Sequence, residues 1–577
     1  MLKSLTIPSK LFALTKFIKH LCNSILIMSK SFQFSAETRQ TFIEHHMQEF
    51  DLLVVGGGIT GAGIALDAAS RGLKVALVEK HDYAWGTSSR STKLIHGGLR
   101  YLKQMEIGLV KEVGSERAIV HRNARNLVIP EKMLLPIIKK GSLGMFSSSA
   151  ALWVYDFLAG VRSKERRKML GKESTKKTEP LLDSSKLIGG GLYYEYRTDD
   201  ARLTIENIKK AVEHGAVCLN YAKFIKPIYE NSKIAGAEIK DLINNTNFEL
   251  KAKCVVNATG PWVDLIRKKD NSLKGKRLQL TKGVHIVVPF TKLPLKQAVY
   301  FDVKDGRMIF AIPRQGKTYI GTTDTVYNEL VDEPITSKED VKYLLKAVNN
   351  MFPTVALKSS HVESTWAGLR PLIHEDGKSP SELSRKDEIF ESESGLLSIA
   401  GGKLTGYRKM AERVVDKVIA RIDFSGAKAC QTAHLPVFGA DFNSSDEISQ
   451  LIIDLTSANK ALGLGVEQIK SWIFRYGTET SKIIEIFQEL LKTHTDIEAC
   501  ATIAELNYCV ENESVLRLED FYIRRSARLY FDYGNIDKYL DDSAKLLQDK
   551  LKYSDEEIAE QIAEVKRQMQ LAVAFKN

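Results

Sequence analysis

Four residues near the start of the chain have the types and the spacing of a dinucleotide site. Gly56, Gly58 and Gly61 occupy the three glycine positions of G-x-G-x-x-G, and Glu79 follows eighteen residues later. The glycines permit a tight turn, close approach of the backbone to a pyrophosphate, and packing of a helix on a strand, while the acid binds ribose hydroxyls. NAD and FAD share the ADP half that this motif binds, so the motif alone does not separate them.

The elements that must position these residues follow in the required order. Residues 52–55 (LLVV) form an apolar run typical of a strand buried on both faces. The glycine turn opens a helix, predicted to end near Ser70, whose free N–H groups point at the phosphates. Residues 74–78 (KVALV) then predict a second strand, which Glu79 closes. The sequence therefore predicts a dinucleotide-binding unit.

Residues 87–102 (TSSRSTKLIHGGLRYL) form a block that is too polar and glycine-rich for a core strand. Such a composition is typical of backbone brought close to a ligand. The block closely resembles the corresponding region of FAD-dependent glycerol-3-phosphate dehydrogenases, which belong to a larger group similar to D-amino-acid oxidase. The resemblance implies that the cofactor is FAD.

Further blocks carry the same likeness: residues 255–262 (VVNATGPW), 366–372 (WAGLRPL), 401–409 (GGKLTGYRK) and, more weakly, 320–324 (IGTTD). The family resemblance extends from about residue 49 to residue 430, and continues less sharply through residues 520–525 (DFYIRR). Gly406 stands where a second threonine is expected, a change too small to remove flavin binding. The FAD-binding residues implied by the resemblance are Gly56, Gly57, Gly58, Gly61, Glu79, Thr87, Ser88, Ser89, Lys93, His96, Gly97, Gly98, Ala258, Thr259, Gly260, Gly401, Gly402, Lys403, Leu404 and Thr405.

The implied reaction is the oxidation of sn-glycerol 3-phosphate to dihydroxyacetone phosphate, in which a base takes the hydroxyl proton and a hydride passes to FAD. His96 resembles the family's active-site histidine, and its neutral imidazole can accept a proton near physiological pH. Lys403 and Arg100 complete the predicted catalytic set. A purely structural, hydrogen-bonded role for His96 stays open.

The residues expected to bind the substrate are four cations and one tyrosine: Arg100, Tyr101, Arg370, Arg385 and Lys403. Guanidinium groups match phosphate oxygens bidentately, so two arginines are expected to clamp the phosphate. Lys403 is a compact charge that can stabilise a developing alkoxide or reduced flavin. A helix beginning near Leu404 directs its positive end at the flavin. For Tyr101, a packing role is an open alternative.

The predicted fold class is α/β: a Rossmann-like FAD-binding domain with an inserted mixed β-sheet substrate domain and a C-terminal helical domain. Apolar residues at helical spacing indicate the C-terminal helical domain. Separately, Asp199 or Asp200 is expected to cap a helix. The predicted boundaries are a basic extension at 1–48, an oxidoreductase region at 49–430 (FAD-binding pieces 49–125, 250–275 and 388–428; substrate domain 126–249 and 276–387), and the helical domain at 431–577.

Composition and charge limit the classes of function. The 577 residues suffice for two or three domains, and six scattered cysteines fit neither a disulfide framework nor a zinc site, so no metal and a reducing compartment are expected. The formal net charge of +12 suits an anionic membrane surface or substrate. No nucleic-acid-binding signature is present, so nucleic acid is not an expected partner. The first 36 residues, with five lysines and no acid, predict a targeting or surface-anchoring segment, and a disordered extension or a true start at Met28 are the open alternatives.

The resemblance further implies a membrane quinone as electron acceptor, a place in glycerol and glycerophospholipid catabolism, and a cytoplasmic enzyme held peripherally at the inner face of the cytoplasmic membrane. A homodimer and the covalent or non-covalent attachment of FAD stay open. The alternative functions are a glycerophosphate oxidase that uses O2, an amine or amino-acid oxidase on the same fold, and a non-catalytic FAD-binding protein.

Overall fold

The computed structural model describes residues 34–45, 49–97, 107–139, 144, 166–374 and 386–576. Its strands are β1 (Phe50–Val55), β2 (Val75–Val78), β3 (Leu94–Ile95), β4 (Ile129–Ile138), β5 (Lys168–Gly171), β6 (Leu187–Arg197), β7 (Val217–Leu219), β8 (Ala222–Glu230), β9 (Lys233–Asp241), β10 (Thr246–Asn257), β11 (Leu278–Pro289), β12 (Ala298–Asp302), β13 (Met308–Arg314), β14 (Lys317–Gly321), β15 (Thr325–Val326), β16 (Ser364–Ile373), β17 (Glu388–Glu391) and β18 (Leu397–Ala400). Its α-helices are α1 (Ala36–His45), α2 (Ile59–Ser70), α3 (Ile107–Asn123), α4 (Lys172–Thr178), α5 (Asp200–Glu213), α6 (Val263–Lys269), α7 (Lys338–Met351), α8 (Tyr407–Ile422), α9 (Ser445–Ala458), α10 (Val466–Tyr476), α11 (Thr480–Leu490), α12 (Ile497–Asn512), α13 (Arg528–Phe531), α14 (Ile536–Leu551) and α15 (Asp555–Ala572).

The first sheet is built around β1, which is buried along its whole length. Its strands run in the order β17-β18-β10-β1-β2-β7, and β1 is parallel to both β2 and β10. Leu52 and Val54 face a core formed with α2, α5 and α8, whereas Leu53 and Val55 face the hairpin β8–β9. A strand with apolar side chains on both faces suits a sheet covered on both sides.

The second sheet is largely antiparallel. In the described part of the chain its order is β15-β11-β14-β13-β12-β4-β6-β3, with β16 beside β11 and β5 beside β6. Helix α7 covers one face of this sheet through Val341, Leu344 and Val348. The strands β11 and β16 pair over ten residues and face the first sheet's ligand-binding edge, so they can contribute side chains to a shared site.

Helices α9 to α15 form the C-terminal domain, whose core contains Trp472, Phe487 and Tyr508. The same apolar cluster continues into the second sheet at Trp366 and Tyr319, so the domain packs directly on the sheet. Every described helix is too short or too polar to cross a lipid bilayer.

This architecture confirms the predicted fold class. Helix α2 ends at Ser70 as predicted, and Asp199 caps α5 by accepting a hydrogen bond from the N–H of Arg202 at 3.2 Å. The helix predicted near Leu404 differs slightly, because residues 404–406 first form a tighter 3-10 turn and the regular helix begins at Tyr407.

Residues 200–241 do not belong to the inserted substrate domain, although the predicted boundary of 126–249 includes them. Strand β7 pairs in parallel with β2, the hairpin β8–β9 extends the first sheet through β10, and α5 packs on α2. The sequence pattern cannot reveal this, because a strand of three residues carries no signal for which sheet it joins.

Candidate active site

A cavity of about 540 Å³ lies where the two sheets meet. Its volume is in the range of ordinary ligand sites. Distant parts of the chain supply its walls: the glycine turn, the segment from Glu79 to Thr92, residues 258–262, strands β11 and β16, and residues 401–405. The cavity therefore gathers most of the described blocks that the sequence singles out.

The glycine turn forms one end of the cavity. Gly56 and Gly58 line it, and the amino end of α2 points into it. A Cβ atom on Gly61 would lie 1.8 Å from the carbonyl oxygen of Gly56, so only glycine allows the helix to begin this close to the strand. A helix amino end beside such a turn attracts an anionic group.

Glu79 lines the same end of the cavity. Its carboxylate accepts hydrogen bonds from the backbone N–H groups of Gly57 at 2.7 Å and His81 at 3.0 Å. Burial raises the pKa of Glu79, and the two N–H donors oppose this rise. The acid is thus fixed beside the glycine turn, where a ribose would lie.

The hydroxyl-rich segment divides into residues that line the cavity and residues that support its wall. Thr87 and Ser88 line it, and Ser88 Oγ accepts a hydrogen bond from the first N–H of α2 at 2.9 Å. Lys93 and Ser89 lie behind the wall: Lys93 Nζ is 2.6 Å from Asp200 and 3.0 Å from the carbonyl oxygen of Ser89. The geometry favours a supporting role for Lys93 and Ser89 over the cofactor contact expected of them. Gly57, Gly61 and Gly97 are not among the described residues that line the cavity.

His96 and the turn at residues 401–405 are joined directly. The hydroxyl of Thr405 accepts a hydrogen bond from the His96 N–H and donates one to its carbonyl oxygen, both at 3.1 Å. Gly401 and Gly402 both have left-handed backbone, with φ of +76° and +80°, which turns Lys403 toward the cavity. Lys403, Leu404 and the segment Ala258-Thr259-Gly260 line the cavity as well.

Arg370 lies in β16 and lines the cavity. Its guanidinium donates to Thr322 Oγ1 at 2.9 Å and to the Thr323 carbonyl oxygen at 3.3 Å, and it lies 3.3 Å from Asp324. The side chain is 23% exposed, so one side of the guanidinium is held while the group still borders the cavity. Arg370 thus shares one cavity with Gly401, Gly402 and Lys403.

Gly283 leaves the space that Arg370 occupies. A Cβ atom at this position would lie 2.2 Å from Arg370 Nη2. We expect Gly283→Ala to keep the fold, because a flexible guanidinium can move aside, but to raise KM for a phosphate-bearing substrate about tenfold, the effect of losing roughly 1.4 kcal/mol. Steady-state kinetics tests this, with Gly171→Ala as the control, because Gly171 lies outside the cavity, has an extended backbone and has open space at its Cβ position. An unchanged KM would contradict this role of Gly283.

Four predicted site residues, Gly98, Arg100, Tyr101 and Arg385, lie outside the described residues. Their roles stay predictions, including the second arginine of the phosphate clamp.

His285 in β11 lines the cavity but is not among the site residues predicted from the sequence, because residues 285–289 (HIVVP) form an apolar run typical of a strand. Its Nε2 lies 3.0 Å from Thr92 Oγ1, and its ring stacks on Trp366 at 4.8 Å. Burial, and then the positive charges of Arg370 and Lys93, lower the pKa of His285 well below its ordinary value. A pKa this low keeps the imidazole neutral, so it can accept a hydrogen bond from a hydroxyl group without taking up the proton. The alternation of side chains along the strand gives a weak indication of this position, because it places His285 on the opposite face of the sheet from Val284 and Ile286.

Asp332 connects separate parts of the cavity wall. It accepts hydrogen bonds from Lys80 Nζ at 3.0 Å and from Trp262 Nε1 at 2.9 Å, and both donors line the cavity. The adjacent Glu333 pairs with Arg567 of α15 at 2.7 Å. The loop between β15 and α7 thereby links the nucleotide-binding sheet to the C-terminal domain. These pairs are partly exposed, so each contributes little to stability.

His81 gives the site a predicted pH dependence. Burial, and then the charge of Lys80, lower its pKa to about 3. The unfolded chain binds a proton near pH 6.5 and the folded chain does not, so the stability that this group contributes is complete above pH 6.5 and falls as the pH is lowered toward 3. Between pH 7 and pH 5, the thermal unfolding temperature of His81→Gln should fall less than that of the wild type. An equal fall in unfolding temperature for the two proteins would contradict this role of His81.

The lining fits a dinucleotide cofactor. A helix amino end, a carboxylate at the end of the adjoining strand and a glycine turn stand at one end of the cavity, and the Gly401–Thr405 turn stands among its other walls. FAD requires groups of this kind, because different segments of a protein bind its nucleotide half and its redox ring.

Comparison with known proteins agrees with this geometry. Residues 51–408 match a family model described as FAD dependent oxidoreductase, and residues 430–558 match one described as the C-terminal domain of alpha-glycerophosphate oxidase. The aerobic glycerol-3-phosphate dehydrogenase of Bacillus subtilis (strain 168) is 50% identical over 517 residues, which cover 88% of this chain and 93% of that protein. The enzyme of the same name from Staphylococcus haemolyticus (strain JCSC1435) is 52% identical over 510 residues, 87% of this chain and 91% of that protein.

Solved structures show the same likeness. The glycerol-3-phosphate dehydrogenase from Bacillus halodurans, complexed with FAD, has a TM-score of 0.80 and 42% identity, covering 94% of this chain and 98% of that one. The L-alpha-glycerophosphate oxidase from Mycoplasma pneumoniae has a TM-score of 0.53 and 18% identity, covering 66% of this chain and 97% of that one, and shows a shared fold alone.

Proposed function

The chain belongs to the aerobic glycerol-3-phosphate dehydrogenase family of FAD-dependent oxidoreductases, and from this premise we propose that it oxidises sn-glycerol 3-phosphate to dihydroxyacetone phosphate. The observation that carries the proposal is the single cavity in which Arg370, Lys403 and two histidines, His96 and His285, join the nucleotide-binding turn. An anionic alcohol needs this combination of cations and a proton acceptor.

Each proposed site residue has a definite part. The glycine turn and Glu79 hold the nucleotide half of FAD, and bound FAD supplies the hydride acceptor. Arg370 binds the substrate phosphate, together with Arg100 and Arg385. Lys403 stabilises the negative charge that develops on the substrate oxygen as the C2 hydroxyl loses its proton.

His96 and His285 both line the cavity, and His96 is the proposed acceptor of that proton because the lowered pKa of His285 makes it a weak base. The lowered pKa of His285 keeps its imidazole neutral, and its Nδ1 has no hydrogen-bond partner among the described residues. His96 is held through its backbone by Thr405, so its ring position follows the turn at residues 401–405. We assign the base to His96 and give His285 the role of orienting the substrate hydroxyl.

Anaerobic mixing of the purified holoprotein with glycerol 3-phosphate tests the proposal, since reduction bleaches the yellow flavin absorbance. Glycerol, lactate and amino acids serve as alternative donors. We expect bleaching with glycerol 3-phosphate and none with the others. Bleaching by an amino acid instead would identify an amino-acid oxidase, and absence of bleaching with every donor would favour a non-catalytic FAD-binding protein.

A membrane quinone is the proposed electron acceptor, with the protein held peripherally at the inner face of the cytoplasmic membrane. The net charge of +12 supports this, because anionic lipid attracts a basic surface. The process served is glycerol and glycerophospholipid catabolism. Reduced protein mixed with a soluble quinone or with dissolved O2 separates the alternatives: faster reoxidation by the quinone supports a dehydrogenase, and faster reoxidation by O2 an oxidase.

A further inference from the structure

A fully buried carboxylate, Asp82, joins the nucleotide-binding sheet to the C-terminal domain. Arg524 Nε donates to Asp82 Oδ2 at 2.5 Å, and Arg525 donates to its two oxygens at 2.6 and 2.9 Å. The side chains of all three residues are at most 1% exposed. Burial would raise the pKa of Asp82, but Arg525 and Arg524 outweigh it, so the pKa lies below its ordinary value and the group is a carboxylate.

Asp82 lies within the segment that forms one wall of the cofactor cavity. Its neighbours Glu79, Lys80, His81, Trp85 and Gly86 all line that cavity. The segment is compact, because the rings of His81 and Trp85 stack at 4.3 Å and the Ala84 N–H donates to the carbonyl oxygen of Gly57 at 3.0 Å. We call residues 79–86 the nucleotide loop.

The C-terminal domain contacts this loop at a second point. The guanidinium of Arg524 lies 4.9 Å from the centre of the Trp85 ring, on a residue that lines the cavity. A cation at this distance from an indole face is attracted to it. Arg524 therefore holds the loop both through the Asp82 carboxylate and through the Trp85 ring.

The local backbone explains how two consecutive arginines reach one carboxylate. Residues 520–525 form a π-helical turn, a rare conformation that often occurs at functional sites. Consecutive side chains of an α-helix diverge by about 100° around its axis. In this turn both Arg524 and Arg525 point to Asp82, and Arg524 also pairs with Asp520 at 2.7 Å. This gives a function to the DFYIRR motif, which the catalytic chemistry leaves unused.

The ion pairs of this cluster reach across the domain interface. Asp82 of the nucleotide loop pairs with Arg524 and Arg525, while Asp520 pairs with Arg524 and Glu513 lies 3.5 Å from Arg525 within the C-terminal domain. Without the arginines, Asp82 would be a buried and unpaired charge, which a folded chain avoids by moving the group toward water. Such a movement would carry the nucleotide loop with it.

We infer that the C-terminal domain is a cofactor-retention domain, in which Arg524 and Arg525 act as positioning residues that hold the nucleotide loop in the shape that binds the adenosine half of FAD. The inference rests on the proposed function only in taking FAD as the ligand. It requires no statement about the substrate or the electron acceptor.

FAD release from the full-length holoprotein tests the inference, measured as the rise in flavin fluorescence after dilution. Arg525→Lys keeps the charge but loses the fork that binds both carboxylate oxygens. We expect this variant and Asp82→Asn each to release FAD at least tenfold faster than the wild type. The double variant should be no faster than the faster single variant, because both changes break the same contact.

Arg475→Lys is the matched control. Arg475 pairs with the buried Glu505 at 2.7 Å, in contacts between helices α10 and α12 of the C-terminal domain that do not reach the nucleotide loop. This variant should lose thermal stability comparably while releasing FAD within twofold of the wild-type rate. Equal acceleration in Arg475→Lys and Arg525→Lys would overturn the inference and leave a merely structural role.

Hydrogen exchange gives a second measurement on the wild-type protein, which stays informative even where a variant does not fold. Coupling between two sites is reciprocal, so FAD binding should slow amide exchange in residues 520–526 as well as in the nucleotide loop. Protection of the loop without any protection of residues 520–526 would overturn the inference. Failure of glycerol 3-phosphate to bleach the flavin would contradict the proposed function and leave both of these readouts unaffected.

Discussion

Replacing Arg370 with alanine is expected to lower kcat/KM for glycerol 3-phosphate by about two to three orders of magnitude while FAD stays bound. Removing one partner of a desolvated charge pair costs about 2–5 kcal/mol, and each 1.4 kcal/mol corresponds to a tenfold change. FAD should stay bound because Arg370 lies in β16, in a different segment of the chain from the glycine turn and Glu79. Stopped-flow reduction of the flavin at varied substrate concentration measures the effect.

Two variants make the Arg370 experiment specific. Arg370→Lys keeps the charge but cannot form a bidentate contact. Its kcat/KM should therefore lie between those of the wild type and Arg370→Ala. Arg421→Ala is the control, since Arg421 pairs with Glu391 outside the cavity and its loss should leave kcat/KM within about twofold, the small effect of a surface pair. Unchanged kinetics in Arg370→Ala would remove this residue from the substrate site.

Replacing Gly61 with alanine is expected to yield protein with little or no FAD. The added methyl group would lie 1.8 Å from the Gly56 carbonyl oxygen and 3.0 Å from its carbon, both backbone atoms that can move only with the turn itself. Overpacking of this kind costs about 1–3 kcal/mol in stability. It also displaces the N–H groups that the cofactor phosphates need.

The ratio of flavin absorbance to protein absorbance measures the Gly61→Ala effect directly. Gly108→Ala is the control, because Gly108 lies in α3 with open space where its Cβ would be. Alanine in a helix should be neutral or stabilising by up to about 1 kcal/mol. A Gly61→Ala protein with full flavin absorbance would show that the turn tolerates a side chain. This result would contradict the close packing of Gly61 against Gly56.

The C-terminal domain connects the two parts of the molecule on which these predictions act. It packs on the second sheet through Trp366, whose opposite neighbour is His285, and it reaches the nucleotide loop through Arg524 and Arg525. A change at Arg524 or Arg525 is therefore expected to alter cofactor binding without touching the cavity. This is the physical basis for measuring FAD release separately from catalysis.

The sequence by itself determined the nucleotide-binding turn, helix α2, the acid at Glu79 and the helical character of the C-terminal domain. Each of these depends on residues within about thirty positions of one another, and backbone geometry links such residues directly. The blocks that carry the family resemblance likewise located Arg370, Lys403 and the turn at Gly401 and Gly402.

The tertiary structure alone decided which buried charges find which partners. Lys93 pairs with Asp200, Asp82 with Arg524 and Arg525, and His285 turns its ring into the cavity from an ordinary-looking strand. The partners of Asp82 lie more than four hundred positions away in the chain, and no local pattern encodes that meeting. Only the packing of the layers brings the two segments together, because a buried charge is stable only where another element supplies its opposite.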